Sequence, residues 1–289
     1  MNIAQTLKDE RRELVRKIEL QYARFASIPA TYPDFMCIGA PRAATTWLFT
    51  QLRADPRIFL PKLKELHFFD EDEGGPAEHD SSGLQWRRRF YFDMSNPIHF
   101  RWYWLQFKRG IGAVKGDITP LYSLLSAERV RLIHEKIPGL RVIYILRNPI
   151  DRAWSGLRKS AWYQKGTNHM AAQSLEWLEK TIMHPAVLER GNYRRVLETW
   201  ESHFPRDQML ILFHDDIVLD PGAELGKVYA FLGLPRPAAM SPSDAEGRVN
   251  AAPELPMPAP IRARLEAYYR DDVRFLERRF GRDLGHWVS

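Results

Sequence analysis

Five short apolar runs rich in β-branched residues constrain this chain more than any other feature of its sequence. They are FMCI at 35–38, RIFL at 57–60, GAVKG at 112–116, LRVIYIL at 140–146 and MLILF at 209–213. Helical patterns lie between several of them, at 45–54, 126–136, 150–164 and 192–203. Strands alternating with helices make βαβ units, which build a parallel sheet covered by helices on both faces. The sequence therefore predicts an α/β fold whose ligands bind beyond the carboxyl ends of the strands.

Other segments extend this core. Ile3, Leu7, Leu14, Ile18, Tyr22 and Phe25 fall on one helical stripe, so residues 1–30 read as an amphipathic helix packed on a main domain of residues 31–289. Residues 71–111 form an insertion, a Gly- and acid-rich loop followed by an aromatic-rich piece. Most of its aromatics read as packing, with Trp102 and Tyr103 as candidates for an acceptor cavity and Arg87, Arg88 and Arg89 as a basic turn. Residues 235–260, rich in proline and small residues, read as a long ordered loop. Ile261, Leu265 and Tyr268 then begin a helix, and Asp271 or Asp272 is expected to cap a second one that carries Val273, Leu276 and Phe280 and stops at Gly281.

At 289 residues the chain can bury an ample core. Its single cysteine, Cys37, permits no internal disulfide, which suits a reducing cytoplasm. No apolar stretch reaches membrane-spanning length, and the charged first twenty residues do not read as a signal peptide. A net charge of +6 favours anionic ligands. The basic residues are scattered among acids, so a small polyanion suits them better than nucleic acid.

The stretch FMCIGAPRAATTWLFTQL, residues 35–52, reads as a strand, a sharp break and a helix, the shape of a phosphate-binding loop. A nucleotide-hydrolysing loop needs a second glycine and a lysine, and both are missing. The strand-end aspartate that would hold magnesium is missing too, since VIYIL ends in Arg147. Arginine there attracts a phosphate directly. Thr45 and Thr46 open the helix, where hydroxyls and free N–H groups face an incoming anion. Arg42 adds charge, and Trp47 offers a flat face to a purine. Ser155 lies two turns into the helix that follows Arg147, so the two residues can converge on a second phosphate. The pattern suits a nucleotide phosphorylated at two places and held without metal.

GAPRAATTWL, RNPIDRAWS and RGNYRRVLETWESHFP resemble the 5′-phosphosulfate loop, the 3′-phosphate motif and a following helix of PAPS-dependent sulfotransferases (PAPS is 3′-phosphoadenosine-5′-phosphosulfate). LPKLKELHFFD and KGDITPLYSLL are similar to segments of the heparan sulfate branch and its bacterial relatives, and the resemblance runs from about Phe35 to Trp287. It implies a P-loop-like parallel sheet and transfer of a sulfuryl group to a hydroxyl or amine, with PAP as product and no metal. By position, Arg42 stands beside the phosphosulfate, Thr45 and Thr46 bind the 5′-phosphate, and Trp47 packs near the adenine. Arg147 and Ser155 hold the 3′-phosphate, Tyr193 lies near the nucleotide, and Arg248 closes over the 3′-phosphate. Glu65 takes the place of the general base, His67 is the competing base, and Asp70 orients a neighbour or the acceptor.

Two departures from the pattern follow. The family's Ser-Gly is Ala43-Ala44 here: the loop is expected to survive if that position takes right-handed helical dihedrals, with the loss of a side-chain hydroxyl. A lysine of the heparan-type segment is absent from Asp117-Ile118-Thr119-Pro120, which argues against a close match to heparan acceptors. The acceptor remains open between a glycan, a lipid headgroup and a small molecule. A magnesium-dependent P-loop kinase or hydrolase, and a non-catalytic nucleotide-binding module of the same fold, are the competing readings.

Overall fold

A computed structural model describes residues 3–70, 92–165, 172–237 and 255–289. Its elements in chain order are α1 (Ile3–Phe25), β1 (Phe35–Gly39), α2 (Thr45–Arg53), β2 (Ile58–Phe59), α3 (Pro97–Phe107), β3 (Val114–Ile118), α4 (Ala127–Lys136), β4 (Arg141–Leu146) and α5 (Pro149–Lys165). They continue with α6 (Leu175–Ile182), α7 (Pro185–Leu188), α8 (Tyr193–Glu201), β5 (Met209–Phe213), α9 (His214–Leu219), α10 (Pro221–Phe231) and α11 (Ala259–Phe280). The five strands form one parallel sheet in the order β2-β3-β1-β4-β5.

All five apolar runs become strands. β1 is central, and Phe35, Met36, Cys37 and Ile38 are all fully buried. Successive strand residues point to opposite faces, so this uniform burial means that helices cover both sides of the sheet. β3 runs two residues further than its sequence suggests, because Gly116, Asp117 and Ile118 pair with Phe35, Met36 and Cys37. Gly116 is required there: a Cβ would fall 2.1 Å from the ring of Phe35. The four anticipated central helices appear as α2, α4, α5 and α8, and side chains cap the starts of α4 and α8. Ser126 Oγ accepts from Arg129 N–H at 3.2 Å, and Asn192 Oδ1 accepts from Arg195 N–H at 3.2 Å.

The N-terminal helix forms but is turned the other way. Leu14, Ile18, Tyr22 and Phe25 are 59, 60, 51 and 82% exposed, while Ala23 is fully buried. The reason lies in α3, whose Trp102 indole and Gln106 amide both donate to the Glu19 carboxylate, at 2.8 and 3.1 Å. A buried donor without a partner is costly, so the edge carrying Glu19 and Ala23 turns inward. No helix among the described residues is long and apolar enough to cross a membrane.

The C-terminal segment also departs from expectation, because α11 is one continuous helix. Asp272 caps a different helix: its carboxylate accepts from the N–H groups of Tyr193 and Arg194, at 3.1 and 3.0 Å, at the start of α8. Burial raises the Asp272 pKa to about 6, although both N–H bonds pull it down. Gly281 does end α11, at φ 60° and ψ 34°. Trp102 and Tyr103 are both fully buried, so they belong to packing and line no acceptor cavity. Arg87, Arg88 and Arg89 lie outside the described residues.

Candidate active site

The first loop of the candidate site grows from the end of β1. Gly39 sits so close to the neighbouring segment that a Cβ would lie 2.9 Å from the carbonyl oxygen of Pro120. The loop then turns through two left-handed residues, Arg42 at φ 71° and Ala44 at φ 63°. The expectation of right-handed dihedrals thus fails at Ala44, which occupies the glycine position of the resembling loop. A left-handed residue is needed there because α2 must start at Thr45 straight from the turn, and alanine adopts it at a cost of about 1 kcal/mol. Thr45 is buried and Thr46 half-buried in the first turn of α2, with the helix's unpaired N–H groups around them. Ala43 is fully buried. Trp47 is only 6% exposed and is counted with the core. Its indole N–H finds no acceptor.

The second phosphate motif meets this loop directly. Arg147 follows β4, and its Nη1 donates to the Arg42 carbonyl at 2.7 Å. Arg42 Nε donates in turn to Ser155 Oγ, at 3.1 Å. The Tyr193 hydroxyl donates to the Arg147 carbonyl at 2.6 Å, and Asp272 fixes Tyr193 from behind through its N–H. Arg42, Arg147, Ser155 and Tyr193 are therefore one hydrogen-bonded group at the carboxyl edge of β1 and β4. Burial lowers the Arg147 pKa, the first mark of a desolvated cation. A guanidinium stays charged in proteins, so the site presents fixed positive charge. Arg248 lies outside the described residues.

The second loop of the candidate site runs from Glu65 to Asp70. Glu65 and His67 are both left-handed, at φ 65° and 54°. Their side chains are 39 and 20% exposed, whereas Leu66 and Phe68 are buried. The buried backbone is held by a network centred on Asp117, at the end of β3. Its carboxylate, fully buried, accepts from Thr119 Oγ1 at 2.7 Å and from the hydroxyls of Tyr103 and Tyr122, each at 3.0 Å. Thr119 Oγ1 accepts from Leu66 N–H at 3.0 Å, and the Tyr122 hydroxyl accepts from Phe68 N–H at 3.1 Å. From the other side Arg16 of α1 donates to the Leu66 carbonyl at 2.9 Å. Four left-handed non-glycine residues thus occupy two loops, one after β1 and one held by the end of β3, where local strain belongs to function more often than to packing.

The electrostatics separate the two candidate bases. His67 Nδ1 lies 2.9 Å from Asp70 Oδ2, and its Nε2 lies 3.6 Å from Glu65 Oε2. Burial pulls the His67 pKa down, but Asp70 and Glu65 outweigh it and raise the value to about 9. An imidazolium has no lone pair with which to take a proton, which counts against His67 as base at neutral pH. Burial pushes the Glu65 pKa up, yet His67 and Lys64, whose Nζ is 2.6 Å from Oε1, hold it well below the usual carboxylate range. Glu65 is the deprotonated candidate of the two, and the more exposed.

Asp117, Thr119, Tyr122 and Arg16 were not legible as site residues. A carboxylate near the buried end of a strand was the one available signal, since such a group must collect donors. Burial raises the Asp117 pKa to about 6 despite its three hydroxyl donors.

Residues 33–238 match the profile described as "Sulfotransferase family". Mouse heparan sulfate glucosamine 3-O-sulfotransferase 6 is 24% identical over 275 residues, which cover 88% of this chain and 73% of that protein. Human heparan sulfate glucosamine 3-O-sulfotransferase 3B1 is 29% identical over 208 residues, covering 71% of this chain and 47% of that protein, so the chain spans only part of such relatives. A sulfotransferase structure from Alicyclobacillus acidocaldarius superposes with a TM-score of 0.63 at 22% identity, covering 90% of this chain and 100% of that one, a likeness of fold. With the family profile covering well over half of its length, the chain belongs to the sulfotransferase family of enzymes.

Proposed function

We propose that the chain transfers the sulfuryl group of PAPS to a hydroxyl or amine of an acceptor, releasing PAP. The observation that carries this reading is the contact of two neighbouring βα loops: Arg147 Nη1 on the Arg42 carbonyl, and Arg42 Nε on Ser155 Oγ, at 2.7 and 3.1 Å. Two guanidiniums, a buried hydroxyl and the start of α2 share one rim, which suits a nucleotide with phosphates at both ends. Arg147 and Ser155 serve the 3′-phosphate in this reading, and Thr45, Thr46 and the backbone around Ala43 and Ala44 serve the 5′-phosphate.

Arg42 meets the negative charge left on the bridging and phosphate oxygens as the S–O bond breaks. Glu65 takes the proton of the acceptor group as its oxygen or nitrogen bonds to sulfur. Asp70 holds His67, and the His67 imidazolium keeps Glu65 ionised and in place. Lys64 shares the Glu65 carboxylate and adds a second cation beside it. Ile118 in place of a lysine sets the acceptor apart from heparan chains, leaving a different glycan, a lipid headgroup or a small molecule. A reducing cytoplasm suits Cys37, a buried thiol whose pKa desolvation pushes up to about 12.

Calorimetry without magnesium tests the donor site: PAP binds, AMP binds far more weakly, and Arg147→Ala removes most of the difference. Equal affinity for AMP and PAP would sink the assignment of Arg147 and Ser155. Magnesium-dependent turnover of ATP would return the chain to the kinase reading.

A further inference from the structure

The described side chains of α1 from Arg11 onward are sorted by charge as well as by polarity. Leu14, Val15, Ile18, Tyr22 and Phe25 are 59, 44, 60, 51 and 82% exposed, and their spacing of three and four residues makes one continuous ridge. The ridge is about 16 Å long from Leu14 to Phe25, at 1.5 Å of rise per residue. The charged residues exposed beside it are Arg11, Lys17 and Arg24, all basic. The acids of the same stretch are turned away: Glu13 is 22% exposed and paired with Lys17 at 3.1 Å, and Glu19 is taken by Trp102 and Gln106. Contiguous exposed apolar surface of this kind marks an interaction site.

We infer that this face of α1 docks the protein onto an anionic lipid bilayer. A convex apolar ridge flanked by Lys and Arg is the pattern of a helix lying in the membrane interface, with its side chains among the acyl chains and its cations at the headgroups. Tyr22 and Phe25 place aromatic rings at the end of the ridge. The helix is too polar to cross the bilayer, so it lies on the surface. A second copy of the chain fits less well, because a two-fold pairing of α1 ridges brings Arg11, Lys17 and Arg24 against their own kind with no exposed acid in the stretch to answer them. The opposite edge of α1 carries Arg16, whose bond to the Leu66 carbonyl ties the docked helix to the acceptor-side loop. Docking therefore brings that loop to about one helix diameter, 10 Å, from the bilayer surface. The inference stands on exposure and charge alone and does not depend on the sulfotransfer reading.

The test is co-sedimentation of the full chain with vesicles of phosphatidylcholine alone and of phosphatidylcholine mixed with phosphatidylglycerol. Binding is expected to the mixed vesicles only, and to weaken with added salt. The double charge reversal Lys17→Glu with Arg24→Glu should weaken it roughly tenfold or more. Ile18→Glu should do the same through the ridge. Circular dichroism and the thermal midpoint establish that each variant folds; the charge reversal changes only exposed positions and keeps the test alive if Ile18→Glu does not. Absence of binding, equal binding to both vesicle types, or unchanged binding of the charge-reversed protein would overturn the inference. So would a dimer in light scattering that Ile18→Glu disperses, which would assign the ridge to a second copy.

Discussion

The two loops of the candidate site are built in opposite ways. The donor loop, from Gly39 to Thr46, is shaped by its neighbours in sequence: a strand ends, a left-handed residue turns the chain, and a helix begins. Its cross-contacts come from the equivalent loop after β4, again a strand end followed by a helix start. The acceptor loop, from Glu65 to Asp70, belongs to no helix or strand. Its backbone hangs on Thr119, Tyr122 and Arg16, which lie about fifty residues away in either direction. The proposed anion site can thus be assembled from local chain geometry, whereas the placement of the proposed base rests on a network assembled only when the fold closes.

Breaking the two loops separately should give separable losses. Glu65→Gln removes the base and should lower turnover by roughly 10²–10⁴-fold, with PAP affinity in calorimetry nearly unchanged. Arg147→Ala acts on the other loop and should weaken PAP by about ten- to hundredfold, the worth of a charged hydrogen bond. A parallel loss of PAP affinity in Glu65→Gln would erase the distinction between the loops.

Sharper tests act through the supports. Arg16→Met frees the Leu66 carbonyl and should cost about tenfold in kcat while leaving PAP affinity intact, since a single backbone bond is at stake. A positioning role further requires that the pH profile of the variant change, as Glu65 and His67 lose their fixed geometry. A loss confined to thermal stability would reduce Arg16 to a packing residue.

His67 provides the pH dependence. Its pKa in the folded protein is about 9, above the ordinary 6.5, so its ion pairs contribute stability that is fully present below about 6.5. That contribution is lost as pH rises through about 9, and turnover should decline over the same interval. His67→Gln should flatten the alkaline fall in both the thermal midpoint and kcat. The smallest effect belongs to Ala44→Gly, which relieves the left-handed alanine at the donor loop. Partly offset by the greater entropy of glycine in the unfolded chain, it should stabilise the protein by less than about 1 kcal/mol in denaturant unfolding.

Much of the first loop and of the loop after β4 was legible in the sequence. Arg42, Thr45, Thr46 and Arg147 lie where a strand gives way to a helix, with Ser155 two turns further on, and that junction is written in short stretches of apolar periodicity, proline and hydroxyl residues. The burial of Trp47 was not legible, because an aromatic residue one turn into a helix reads the same whether it meets a ligand or the core. The outward face of α1 was misread for a related reason. Apolar spacing reveals that a helix has a face, while the direction of that face depended on a carboxylate, Glu19, needed by two donors on a helix some eighty residues away.

Sequence alone thus determined the parallel sheet, the strand-end rim and the residues that bring positive charge to it, because those follow from periodicities of a few residues. Tertiary structure decided that Asp117 would underpin the acceptor loop, that Asp272 would cap α8 in place of its own helix, and that α1 would bury its polar edge. Each of these is a buried polar group finding its partner. Desolvation makes such partners obligatory, but nothing in the order of the chain says which distant residue will supply them.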